Sequence, residues 1–437
     1  MDIRHQHSWH AGTAVLLRSV LLVCSFYAPL SFADDAETWQ FSGQIRPLWT
    51  SAQSTGHDPV SSANALLPGL IPVMSDNAQV QTELHVISHG ITAIGTLQGQ
   101  AFDTDTKHEL TNGTAWLNEL YTGWGNGAWQ FSVGKKIVSW DVAYGFRPND
   151  MIQQEKRQTF ITSTLIGRPL AMADYFDADN AVSVVLVNPR QNNTTDPSIE
   201  PALAARAYHH AGNLDWYGFA RYGEQTRMSI GTAAAWVVSE SIELHASYRY
   251  SQKMGLLSLQ QRPTLLSNTF LSNTSPWQTQ LTDHIQQAVI GTTYTTEDQQ
   301  SIILEAWWDG AAPSDAQWTE WNQRNHALNA IASTTPSLQR PVAYNLAWQA
   351  QLFSAANNVR RKNLYARWSW QSGVWTTAID TLYTPEDKGR ATSASLEWQG
   401  DRWHLEAGVR IYGGPANAIF AQLPQKRIVY SAATWAF

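Results

Sequence analysis

The stretch WHLEAGVRIY, residues 403–412, puts Trp403, Leu405, Ala407, Val409 and Ile411 on one face and His404, Glu406, Arg410 and Tyr412 on the other. A period of two is that of a strand whose two faces meet different surroundings. The same alternation returns at IELHASYRYS, from Ile242. There Ile242, Leu244, Ala246, Tyr248 and Tyr250 oppose Glu243, His245, Ser247 and Arg249. QVQTELHV (79–86) opposes Val80, Thr82, Leu84 and Val86 to Gln79, Gln81, Glu83 and His85, and WQFSGQI (39–45) opposes Trp39, Phe41 and Ile45 to Gln40, Ser42 and Gln44.

Other segments alternate with blemishes. Trp129, Phe131 and Val133 face away from Gln130, Ser132 and Lys136. Ile302, Leu304, Ala306 and Trp308 oppose Glu305 and Asp309, with Trp307 on the wrong side. Tyr344–Leu352 and Leu364–Trp370 read as two further strands, and residues 91–101, 115–124, 181–188, 202–210, 214–222, 227–238, 285–296, 374–383 and 391–399 as nine more. Gly125-Asn126-Gly127, Ser372-Gly373 and Gly400-Asp401 are hairpin turns. The expectation is an all-β chain: a transmembrane, antiparallel, up-and-down β-barrel of about 16–18 strands with long extracellular loops. Its apolar residues are spread singly along strands, with aromatics at the strand ends, as two interfacial girdles require.

The front end reads as a secretory signal. MDIRHQH is followed, after Arg18, by the apolar run SVLLVCSFYAPL and then Ser31-Phe32-Ala33, so residues 1–33 are expected to be removed and 34–437 to form one barrel domain. The run is shorter than the roughly 20 residues a helix needs to span a bilayer. Cys24 is the single cysteine, so the mature chain needs no disulfide framework. The formal net charge of −7 excludes a nucleic-acid footprint. No cofactor or metal motif is present: His209-His210 face opposite sides of a strand. His245 and Ser247 share a strand face, a spacing open to nucleophilic chemistry, but that face is the polar one, which suits lumen residues better than a lipid hydrolase.

The chain ends in SAATWAF. Val429, Ala433, Trp435 and Phe437 alternate outward on a last strand that must pair with the first, because a barrel tolerates no free edge. Trp435 and Phe437 resemble the C-terminal signal read by the outer-membrane insertion machinery of Gram-negative bacteria. That resemblance implies export past periplasmic chaperones into outer-membrane lipid.

Three long stretches interrupt the pattern: 138–180, 253–284 and 310–341. With Phe437 on the periplasmic side, the second and third fall on the wrong side of the barrel. Ser314–Ile331 reads as a helix capped by Ser314 or Asp315, with Trp318, Trp321 and Leu328 on one face. The first begins within NELYTGWGNGAWQFSVGKKIVSWDVAYGFRPND, residues 118–150, and takes in GRPLAMADYF, residues 167–176. Arg147 and Asp150 are spaced to pair across the turn made by Pro148, with Glu119 in reach of Lys136. Such charges either form a constriction or simply hold a loop in place.

N-E-L-Y, a G-K strand, Trp140 and F-R-P-N-D in this order, together with EAWWDGAAPSDAQW (305–318) and the tail from Leu396, resemble a proteobacterial outer-membrane barrel family of porin-like and alginate-export-like appearance. The resemblance implies the fold and location and no particular cargo. An alginate-type lumen would be rich in Arg. Here Glu119, Lys136, Glu243, His245, Arg249, Glu305, Glu406 and Arg410 mix both signs on the polar face. These residues, with Arg147 and Asp150, are the candidate lumen and constriction set. They imply a pore for small polar solutes. The alternatives are a plugged barrel acting as scaffold or ligand-binding protein and, less so, a hydrolase.

Overall fold

The computed structural model describes residues 39–104, 110–153, 165–189, 199–259, 270–354 and 357–437. The expected signal segment, with Cys24, lies outside them. Eighteen strands form one sheet: β1 (Gln40–Ser54), β2 (Met74–Ser88), β3 (Ile91–Thr104), β4 (Leu110–Asn126), β5 (Trp129–Lys136), β6 (Arg168–Phe176), β7 (Asn180–Val187), β8 (Ala202–Ala211) and β9 (Leu214–Gly223). They continue as β10 (Arg227–Ser239), β11 (Ile242–Leu259), β12 (Trp277–Thr295), β13 (Gln300–Asp309), β14 (Lys362–Ser372), β15 (Trp375–Thr384), β16 (Gly389–Gln399), β17 (Trp403–Gly413) and β18 (Gln425–Ala436). Each pairs antiparallel with its sequence neighbours, and β1 pairs with β18, so the sheet closes on itself. The expected fold class is the observed one. Closure satisfies every ladder that an open edge would leave unpaired.

The faces follow the alternation. On β17, Trp403, Leu405 and Ile411 are exposed outward while Glu406 and Arg410 turn inward and are shielded. On β11, His245, Ser247 and Ser251 are buried inside, between outward Leu244, Ala246 and Tyr248. Outward Trp39, Trp124, Trp129, Trp216, Trp236, Trp375 and Trp403 all lie at strand ends on the same rim, that of the short turns.

All connections on that rim, such as 89–90, 240–241 and 400–402, span two to four residues. The long ones, including 55–73, 137–167, 260–276 and 310–361, all emerge at the opposite rim. This corrects the sidedness expected from sequence. Residues 168–176, read as part of an insertion, are strand β6, and residues 344–352, read as a strand, belong to a helix and the 3-10 turn after it. One omission and one addition leave the count at eighteen and invert the direction of every strand between them. Strands β11 and β12 also extend beyond the expected ends, which shortens the 253–284 stretch to 260–276.

Helices α1 (Pro59–Leu66), α2 (Asp315–Thr334) and α3 (Gln339–Gln349) cover the long-loop rim. Ser314 caps α2 as expected: its Oγ accepts from Gln317 N at 3.3 Å while Gln317 Oε1 accepts from Ser314 N at 2.8 Å. Ala63, Phe270, Leu328, Val342 and Leu346 form one apolar core in this cap, and Trp277, Trp318, Trp321, Leu352 and Ile419 a second. The cap therefore gathers the connections β1–β2, β11–β12, β13–β14 and β17–β18.

Candidate functional site

The loop after β5 enters the lumen because of its apolar side chains. Val138, Trp140, Met151 and Ile152 pack on Leu170, Val185, Val187, Ala204, Phe219 and Ala233 of the β6–β10 wall. Ala143 and Phe146 pack across the lumen on Val289, Trp307, Tyr365 and Leu382 of the β12–β15 wall. Trp307, the blemish in the β13 pattern, points inward because it meets the loop: its ring stacks on Phe146 at 5.9 Å and its Nε1 donates to Asn358. Burial of apolar area on both walls makes this segment a fixed crossbar.

Two polar attachments lock it. At the first, Glu305 of β13 accepts the Tyr144 and Gly145 amides at 2.7 Å each, and His245 Nε2 lies 2.9 Å from Glu305 Oε1. Gly291 leaves room for this pair; a Cβ there would lie 2.4 Å from His245 Nε2. At the second, Asn149 Nδ2 donates to Ser247 Oγ at 2.8 Å, Tyr248 O at 3.2 Å and Thr232 O at 3.3 Å, and Ser247 Oγ donates to Asp141 Oδ2 at 3.0 Å. Arg249 Nη1 donates to Pro148 O at 3.1 Å. Burial pushes the Asp141 carboxyl above its ordinary range, against hydrogen bonds from Asn149 N, Ser247 and Val142 N that pull it down.

Arg147 and Asp150 do pair, Nε to Oδ2 at 3.3 Å, with both side chains buried. Arg147 also donates to Asp141 O, and Asp150 accepts from Ser139 Oγ and from the Trp140 and Asp141 amides. Their charges are used inside the crossbar. The expected Glu119–Lys136 contact is replaced: Glu119 Oε1 accepts the Ile137 amide at 2.7 Å, while Lys136 Nζ reaches Ser132 Oγ at 3.4 Å and sits 5.1 Å over the Tyr121 ring. The cause is a bulge between Gly95 and Ile94 partners in β4, which turns both Asn118 and Glu119 inward. Asn118 takes the Thr96 hydroxyl and donates to Leu165 O; its own carbonyl accepts Gly167 N. NELY thus holds both ends of the insertion.

Of the other expected lumen residues, Glu406 and Arg410 lie on β17 and Glu243 on β11. Arg46 faces Glu406 at 3.8 Å, and Tyr430 Oη donates to Glu406 Oε1. Arg410 and Arg367 flank Asp380 at 3.7 and 3.9 Å. Glu83 accepts from Gln44 and contacts His85 at 2.7 Å. Here β18 and β1–β4 contribute nothing to the crossbar's buried apolar clusters. Glu243 lies 3.6 Å from His245 Nδ1. Ser247 and His245 engage different partners, the crossbar and Glu305. Sequence reading missed Asp141 and Asn149, although both stand in the quoted motif.

What the fold defines is a closed antiparallel barrel with an internal crossbar. Among solved structures, OccK8 (OprE) of Pseudomonas aeruginosa is similar over 91% of this chain and 98% of its own, at 9% identity and a TM-score of 0.50. A variant of the Rhodopseudomonas blastica porin covers 92% of this chain and 100% of its own at 11% identity, with a TM-score of 0.42. The first likeness supports the fold alone, and the second is too loose to add to it. No protein-family description and no curated protein matches the sequence.

Proposed function

We propose that this barrel sits in the outer membrane of a Gram-negative bacterium and passes small polar solutes by diffusion, in the manner of a porin. An apolar outer wall rimmed by tryptophans suits lipid on the outside. The observation that carries the channel reading is the asymmetry of the lumen. The crossbar is packed on the β6–β16 side, whereas β1 and β2 present Gln44, Arg46, Glu83 and His85 away from it. Solutes pass along that polar wall, with mixed charges on neighbouring β17 setting a weak ion preference. Residues 1–33 direct export, and Trp435 and Phe437 serve insertion.

Single-channel recording of the purified, heat-modifiable protein in a planar bilayer tests this. Steady conductance is expected, with modest ion selectivity in reversal potentials. A folded barrel that stays silent, and remains silent when residues 310–341 are deleted, would overturn the channel reading in favour of a scaffold.

A further inference from the structure

A cavity of about 300 Å³ opens above the crossbar, toward the long-loop rim. Arg168, Arg221, Arg249 and Lys253 line it, with Asp150 and Asp309. The two carboxylates are already saturated. Asp150 is held by Arg147, Ser139 and two amides, and Asp309 by Gln287 Nε2 at 2.8 Å, Asn358 Nδ2 at 2.8 Å and Ala311 N at 3.0 Å. Of the cations, Arg221 has Glu200 at 3.6 Å and Lys253 has Asp283 at 3.5 Å. Arg168 and Arg249 have no carboxylate within ion-pair distance among the described residues. Among the described residues Arg249 donates to neutral oxygens: Pro148 O, Ser251 Oγ and Ser229 Oγ.

Asp141, Asp150 and Asp309 act on Arg249 from beyond ion-pair distance, so two guanidiniums without a direct ion-pair partner beside this space favour an anion, since a buried charge left unpaired is costly. Met151, Ile152, Met254 and Leu256 line the same cavity. Their thioether and alkyl surface gains nothing from a fully hydrated inorganic ion and does gain from a hydrocarbon body. We propose that this cavity, on the crossbar side of the mouth through which solutes reach the polar wall, is a binding site for a small amphiphilic organic anion, one anionic group joined to an apolar body. This deepens the channel reading and rests on it. The anionic group docks on Arg249 and Arg168, and the body lies on the Met151–Ile152 turn of the crossbar.

The test uses the full barrel in a planar bilayer with hexanoate as probe, added on the side of the long connections. Acetate, inorganic phosphate and hexan-1-ol at equal concentration are the comparisons. Hexanoate is expected to produce resolved current interruptions that the other three do not. Arg249→Gln should reduce their frequency about tenfold or more, the usual worth of a hydrogen bond to a charge. Should Arg249→Gln fail to fold, Arg168→Gln and Met254→Glu, at the cavity wall, must show the same loss. Interruptions equal for hexanoate and acetate, or unchanged in the folded variants, overturn the site. The open-channel current, read separately in the same trace, reports whether the channel itself exists.

Discussion

Gly43 and Phe437 join the first strand to the end of the last: the Phe437 amide donates to Gly43 O and the Gly43 amide to Phe437 O, both at 3.0 Å. The Phe437 ring lies over Gly43, where a Cβ would come within 2.8 Å of the ring and 2.5 Å of Glu83 O. Trp435 packs on Phe437 at 5.3 Å and on Trp403 at 6.4 Å. The final aromatic is therefore part of the seam. Gly43→Val should overpack it at a cost of about 1–3 kcal/mol, read as a lower temperature for loss of the compact band in heat-modifiability gels. An unchanged transition would show that the seam yields freely.

The crossbar should be held by Asn149 more than by its exposed neighbours. Asn149→Ala deletes three hydrogen bonds and leaves the Thr232 and Tyr248 carbonyls to find other donors, about 1–3 kcal/mol. The expected result is a folded barrel with noisier single-channel current and faster hydrogen exchange in 137–153. Quiet current would mean that the apolar clusters alone suffice. Gly231→Ala should act in the same way, because its Cβ would lie 1.8 Å from Asn149 Oδ1.

Glu305 is expected to be the most sensitive of the inward acids. Glu305→Ala strands two loop amides and His245, and breaking a buried charged pair costs about 3–5 kcal/mol. Glu305→Gln keeps an acceptor for the amides and should recover part of that loss. Urea midpoints of the two variants compare them directly; equal midpoints would refute the charge-based part of the account.

Arg147→Ala with Asp150→Ala should loosen the crossbar while shifting reversal potentials little, since both side chains are buried within the loop. Replacing Arg46 and Glu406 on the clear wall should shift them more. The reverse order would place the selective charges in the crossbar after all.

Sequence periodicity reveals strands where the two faces differ in polarity, and β11 and β17 do. It failed where the lumen is not watery. β6 turns Leu170 and Met172 inward onto the crossbar and carries small Ala171 and Ala173 outward, so no contrast marks it. α3 buries Val342, Ala343, Asn345, Leu346 and Gln349, a helical set whose hydrophobic members also fit an alternating template at Leu346. The crossbar attachments were illegible for a related reason. Asn149 and Ser247 are far apart in sequence, and only the closed ring brings them to 2.8 Å. The Arg147–Asp150 pair, three residues apart, was legible because it is local.

The helical cap also constrains the order of assembly. Its core joins Ala63, Phe270, Leu328 and Val342, residues drawn from three connections that are separated by most of the chain. Contacts of such long range come late, because loop-closure entropy must be met before they reward it. If the barrel spans a membrane, every one of these segments must also reach the far side before any can find its partners. The wall is thus expected to be complete, and its mouth uncovered, before α1, α2 and α3 meet. During that interval the barrel's mouth is more open than in the finished molecule.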